Sequence, residues 1–121
     1  ADYPCLNKFN YIVYVKDVAE VTTIAFENIP RLKSRIYNVS SLSPSPTATK
    51  IASCVRKHIP KAEIAFRPDP LITAMVDTWP KHLDTTRVQT ELNWRPRFSS
   101  LDMLIGDFIR EVKENPEMFF I

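Results

Sequence analysis

Glycine is almost missing from this chain: Gly106 is the only one among 121 residues, against an average usage of about 7%. Glycine-rich turns that cradle a pyrophosphate need bare backbone, because side chains would hold the phosphate oxygens away from the amides. With its one glycine inside a predicted helix, the chain cannot build such a turn, nor a phosphate-binding loop of the P-loop kind. Apolar runs of the roughly 20 residues needed to cross a bilayer are also missing, so no membrane partner is expected. Cysteine is scarce. Cys5 and Cys54 are the only two, and their spacing matches no zinc or redox motif. They read as thiols of a reducing cytoplasm, with a single disulfide as the alternative. A basic segment followed by an apolar stretch is missing from the N-terminus, which points to a cytoplasmic protein. So is an initiator methionine, as expected of a fragment.

Some catalytic arrangements fail on the same count. Catalysis by a tyrosine with a lysine four residues on is not encoded: Tyr3, Tyr11, Tyr14 and Tyr37 are followed at that spacing by Asn7, Val15, Val18 and Ser41. His58 and His82 are the only histidines, far apart in the chain, so no metal site is expected. Ser53, His58 and Asp84 make a nucleophilic triad only on paper. The basic groups Arg31, Lys33, Arg35 and Arg56, Lys57, Lys61 stand at predicted helix ends among acidic residues. They read as solvated surface, and no nucleic-acid partner is expected.

What is present is ordinary globular material, with 45% apolar and 25% charged residues and a net charge of +2. That length and composition fit one domain, residues 1–121, with a real core. Lys8 to Val15 is aromatic and β-branched and predicts a strand. Asp17 then reads as the cap of a helix ending near Asn28, before Pro30. Residues 35–40 and 63–66 predict two further short strands. Between them, Ser45-Pro46 opens a helix over 47–58, with Ile51, Val55 and Ile59 on one face and Pro60 after it. Residues 71–76 fit either a short helix or an extended apolar run. Asp84 caps a helix over 85–92, and Asn93 takes the left-handed conformation that ends it. Ser99, with Asp102 three residues later, resembles a capping box. Leu101, Leu104, Ile105, Phe108 and Val112 form the stripe of a last helix, running to about Asn115. The fold class expected is α/β, short strands alternating with three or four helices.

Three segments carry a resemblance. Tyr14-Val15-Lys16-Asp17-Val18-Ala19-Glu20 runs a strand into a helix through an Asp-Val-Ala sequence. Ile36-Tyr37-Asn38-Val39-Ser40-Ser41 precedes a helix ending Arg56-Lys57-His58-Ile59-Pro60. Asp84 to Pro96 is an aspartate-capped helix closing on Leu92-Asn93-Trp94-Arg95-Pro96. Together they resemble the C-terminal part of the extended short-chain dehydrogenase/reductases, the NAD-dependent epimerase/dehydratase family. Asn93 stands where that family usually has glycine. Arg67-Pro68-Asp69 and Val76-Asp77-Thr78-Trp79-Pro80 are most similar to the L-threonine 3-dehydrogenase branch. Pro70-Leu71-Ile72-Thr73 departs from its usual polar Arg-Gln pair.

The resemblance implies the substrate-side C-terminal lobe of a dehydrogenase, without the N-terminal Rossmann region that supplies the NAD site and the catalytic tyrosine and lysine. The complete parent would use NAD. This chain alone would hold no cofactor, no metal and no catalytic residue. The substrate-side residues implied are Trp79, Asp77, Thr78 and Arg67. A lobe without its partner exposes apolar surface, so a homo-oligomer is expected, pairing through the Phe9–Val15 edge. Two rivals remain open. One is a stand-alone binding or oligomerisation module built on the same lobe. The other is an unrelated small enzyme with a site around Arg67, Asp69, Asp77 and His82.

Overall fold

Helices carry the architecture. The computed structural model describes residues 11–80 and 82–119. In order they form α1 (Val15–Glu27), α2 (Ala48–His58), α3 (Pro70–Asp77), α4 (Thr86–Glu91) and α5 (Leu101–Glu114), with 3₁₀ turns at Ile29–Arg31 and Pro116–Met118.

No strand forms among the described residues, which corrects the expected alternation of strands and helices. Of the first expected strand, residues 8–10 lie outside the described residues. Residues 11–14 have no regular structure, and Val15 already belongs to α1. The pairing edge expected over Phe9–Val15 therefore does not exist as a strand over its described part. The physical reason is that β-rich sequence needs a neighbouring backbone to bond with. One such bond appears, Ser41 N–H to the Ile12 carbonyl at 2.9 Å. Segment 34–38 is held by side chains instead. Tyr37 Oη donates to Glu91 at 2.7 Å, Ser34 Oγ donates to the same carboxylate at 3.0 Å, and Asn38 donates to the Asp84 carbonyl at 3.2 Å. Residues 63–66 leave only an isolated bridge position, at Phe66.

Helix boundaries follow the expected proline and asparagine signals, while several caps move. Helix α1 starts after Tyr14, which gives no side-chain cap, and stops at Asn28. Thr47, not Ser45, caps α2 through Lys50 N–H, and Ser100, not Ser99, caps α5 through Met103 N–H. Asp84 does serve α4, accepting from Thr86 N–H at 2.8 Å, which holds its carboxyl below the usual range. Asn93 sits at φ 51°, left-handed as expected.

Asp17 is not a cap. It lies in the first turn of α1, is 1% exposed, and receives donors from two distant segments. Ser41 Oγ–H donates to it at 2.5 Å, Arg97 N–H at 2.9 Å and Phe98 N–H at 3.4 Å. The Ser41 oxygen in turn accepts from Tyr14 N–H at 2.7 Å. Around this joint sits the core of Val21, Val88, Leu92 and Trp94, with Ile24, Ala25, Leu32, Tyr37 and Val39 packed against it. Trp94 is 2% exposed and donates its indole N–H to Glu20 at 3.2 Å. Helix α2 lies against α5.

A second polar clasp ties α1 to α5. Buried Asp107 accepts from Tyr14 Oη at 2.8 Å, pairs with Lys16 at 2.7 Å, and meets the Arg110 guanidinium. Lys16 also pairs with Glu111. Burial pushes the Asp107 carboxyl up, but hydrogen bonds from Lys16 and Tyr14 and the charges of Lys16 and Arg110 outweigh it, so its pKa falls below the usual range. Burial and the Asp107 contact push the Tyr14 phenol up to about 12. A carboxyl depressed on folding stabilises above its unfolded pKa, and that stabilisation is lost as pH falls through the folded value. Urea unfolding at a series of acidic pH values should therefore show a shallower acid loss for Asp107→Asn than for the native chain. Parallel pH profiles would contradict this clasp.

Candidate functional site

Three of the four substrate-side residues named from the sequence come together, and one stands apart. Asp77 ends α3, Thr78 is its C-cap, and Trp79 follows with its N–H on the Val76 carbonyl at 3.1 Å. Thr78 Oγ1 donates to the Met75 carbonyl at 2.7 Å. Arg67 lies before the other end of α3, whose 8 residues span about 12 Å. All four are exposed, Trp79 by half. The proposed cluster of Arg67, Asp69, Asp77 and His82 is divided in the same way, with Asp69 at the start of α3 and Asp77 at its end.

Helix α3 resolves the ambiguity of residues 71–76 in favour of helix. Asp69 caps it, accepting from Leu71 N–H at 2.8 Å and Ile72 N–H at 3.2 Å, and Pro70 supplies the pre-set φ of the first turn. It is apolar yet buries no residue. Leu71 is 83% exposed, Met75 55% and Ile72 37%. Leu71 and Met75 stand one turn apart on one side of the helix, and exposed apolar side chains grouped in this way mark a contact surface.

A separate open cavity of about 360 Å³ lies beside the serine- and proline-rich segment 40–45, closed by His82, Gln89, Arg95 and Ser99 among others. Arg67, Asp77, Thr78 and Trp79 are not among its walls. It is polar, and the Arg95 guanidinium donates to Gln89 at 3.1 Å.

A third grouping was missed at the level of sequence. Cys54 and His58 stand one turn apart on α2, and Asp102 in the first turn of α5 comes between them. His58 Nε2 lies 3.1 Å from Asp102 Oδ1, Cys54 Sγ lies 3.9 Å away, and Lys57 Nζ pairs with the same oxygen at 2.7 Å. The hydrogen bond and charge of Lys57, with a smaller part from His58, hold the Asp102 carboxyl below its usual range against some desolvation. Asp102 thus serves α2 rather than the capping box read from the sequence. The i, i+4 spacing of Cys54 and His58 was visible; Asp102, from another helix, was not. Gly106 lies within α5, as expected.

No protein-family profile matches the chain. Its fold is that of part of a dehydrogenase. A GalE-like L-threonine dehydrogenase from Cupriavidus necator superposes with a TM-score of 0.76 at 21% identity, over 92% of this chain and 36% of that one. The Phytophthora infestans L-threonine dehydrogenase gives 0.74 at 24% identity, over 94% and 37%. In sequence the chain is similar to the mitochondrial L-threonine 3-dehydrogenase of Bos taurus, 28% identical over 88 residues, covering 72% of this chain and 23% of that protein. It is 30% identical over 81 residues to an uncharacterized epimerase/dehydratase from Staphylococcus haemolyticus, 65% of this chain and 25% of that one. The resemblance to threonine dehydrogenases and epimerase/dehydratases read from the sequence therefore holds. The chain spans 23–25% of these curated relatives and 36–37% of these solved chains. Among the described residues no helix is long and apolar enough to cross a membrane.

No residue of α3 is fully buried, so its N-terminal cap carries much of its local stability. Asp69→Ala should cost that helix about 1 kcal/mol. Hydrogen exchange over 71–77 should speed up while the global unfolding midpoint stays nearly fixed. Unchanged exchange in that segment would contradict the capping role.

Proposed function

We propose that this chain is the substrate-side, C-terminal portion of an NAD-dependent oxidoreductase of the threonine 3-dehydrogenase type, and that it is inactive alone. The observation that carries this reading is the uncovered apolar helix α3, with Trp79 at its end. In the complete protein that face lies against a Rossmann region and closes one wall of a pocket between the two. Trp79 packs on the substrate there, and Asp77 and Thr78 hold the turn that presents it. Arg67, at the far end of α3, reaches a substrate carboxylate only if the missing region brings the substrate across the helix.

The cofactor belongs to the other portion. The single glycine of this chain is consumed inside α5, so no turn here suits a pyrophosphate, and hydride transfer to NAD takes place on residues this chain does not contain. In the parent, a secondary alcohol carbon is the hydride donor, as the threonine dehydrogenase likeness supports. Self-association through the exposed α3 face is the form the isolated chain takes in solution.

The test is complementation. The purified chain given L-threonine and NAD should show no NADH formation. Mixed with the N-terminal portion of a threonine dehydrogenase relative, it should restore turnover. Trp79→Ala should then lower kcat/KM roughly 10- to 100-fold, as loss of one good pocket contact does. Robust turnover by the chain alone would contradict the reading.

A further inference from the structure

The seam between α2 and α5 holds a set of side chains that the dehydrogenase reading does not use. Cys54, His58 and Asp102 each offer one ligand atom, and these atoms all lie within 4.8 Å of one another. Two of them share a helix face at i, i+4, the spacing that stacks side chains one turn apart. The third comes from the opening turn of the helix packed against it. We propose that Cys54, His58 and Asp102 form a binding site for a thiophilic divalent cation of the zinc class, with a fourth position left to solvent.

Around a tetrahedral zinc, bonds of about 2.0 Å to nitrogen or oxygen and 2.3 Å to sulfur place N and O ligands about 3.3 Å apart, and S and N or S and O about 3.5 Å apart. The His58–Asp102 and Cys54–Asp102 distances here are 3.1 Å and 3.9 Å, and Cys54 and His58 lie within 4.8 Å of each other, so side-chain rotation can close the set around an ion. One sulfur, one imidazole nitrogen and one carboxylate oxygen favour zinc or cobalt over magnesium or calcium, which prefer oxygen alone. The imidazole is also seated from behind. Gly106 of α5 faces it, and a Cβ at that position would meet His58 Cε1 at 3.3 Å. A glycine within a helix costs about 1 kcal/mol relative to alanine. The one glycine in the chain is thus placed where it leaves room for the His58 ring.

The competitor is Lys57. Its ammonium holds the Asp102 oxygen that would bind the ion, but that pair is 69% and 52% exposed and exposed pairs are weak. From α2 the site is faced by Cys54, Lys57 and His58, and from α5 by Asp102, with Arg110, Lys113 and Glu114 of α5 lining the pocket beside His58.

Cobalt(II) titration of the tag-free chain tests this, read through the thiolate-to-cobalt charge-transfer band and the intense visible bands of tetrahedral cobalt. One cobalt per chain, displaced by zinc, is the expected result. Cys54→Ser should abolish the charge-transfer band although Cys5 is retained, and His58→Gln and Asp102→Asn should each weaken binding. Lys57→Gln should tighten it roughly two- to five-fold by freeing the carboxylate; because this variant gains affinity, loss of folding cannot mimic it. Absence of a tetrahedral thiolate spectrum in the native chain would overturn the proposal. So would a spectrum that survives Cys54→Ser, or unchanged or weaker binding by a folded Lys57→Gln chain.

Discussion

A buried carboxylate organises this chain. Asp17 sits in the first turn of α1 with 1% of its surface exposed, and burying such a group is costly unless hydrogen bonds replace the lost water. The replacements come from Ser41, which follows the extended segment after α1, and from the backbone of Arg97 and Phe98, between α4 and α5. One side chain thereby fixes the start of α1 against two stretches of irregular backbone. Those stretches have no ladder of their own to hold them. Edge-to-face packing of Tyr14 on Phe98 at 4.6 Å closes the same joint with apolar surface, and Val21, Trp94 and Leu92 extend it into the core.

What the joint secures is one half of the molecule. Helices α1, α4 and α5 meet around it or its neighbouring clasp at Asp107, while α3 stands outside with its apolar residues uncovered. This division makes sense of a chain that superposes well on threonine dehydrogenases yet spans little more than a third of them. The stable part has its own polar fasteners and core. The uncovered part is the one that the proposed function sets against the substrate.

Much of this was legible in the sequence where local physics decides. Spaced apolar residues and the prolines after them pointed to a helix over 47–58 and a last helix running to about Asn115, observed as Ala48–His58 and Leu101–Glu114, and Asn93 pointed to the left-handed turn. Strands were over-predicted because β-branched and aromatic residues report only that a segment suits a pleated sheet, not that a neighbour is there to pair with. Caps expected at Ser45 and Ser99 fall instead at Thr47 and Ser100, because neighbouring hydroxyls offer alternative starts within the same turn. Asp17 was misread because its partners lie 24 and 80 positions away, a separation that no local rule detects. Helix α3 stayed undecided because an apolar run of six residues is too short for its period to separate helix from strand. The same distance effect hid Asp102 from Cys54 and His58.

The most direct measurement is a double-mutant cycle on Asp17 and Ser41, followed by chemical unfolding. If the carboxylate is the joint, Asp17→Ala lowers stability by about 3 kcal/mol, the cost of stranding several buried donors of a charged hydrogen-bond acceptor. Ser41→Ala then adds little on top of it, because both act through one network. Strict additivity of the two substitutions, or an Asp17→Ala chain as stable as the native one, would contradict the account.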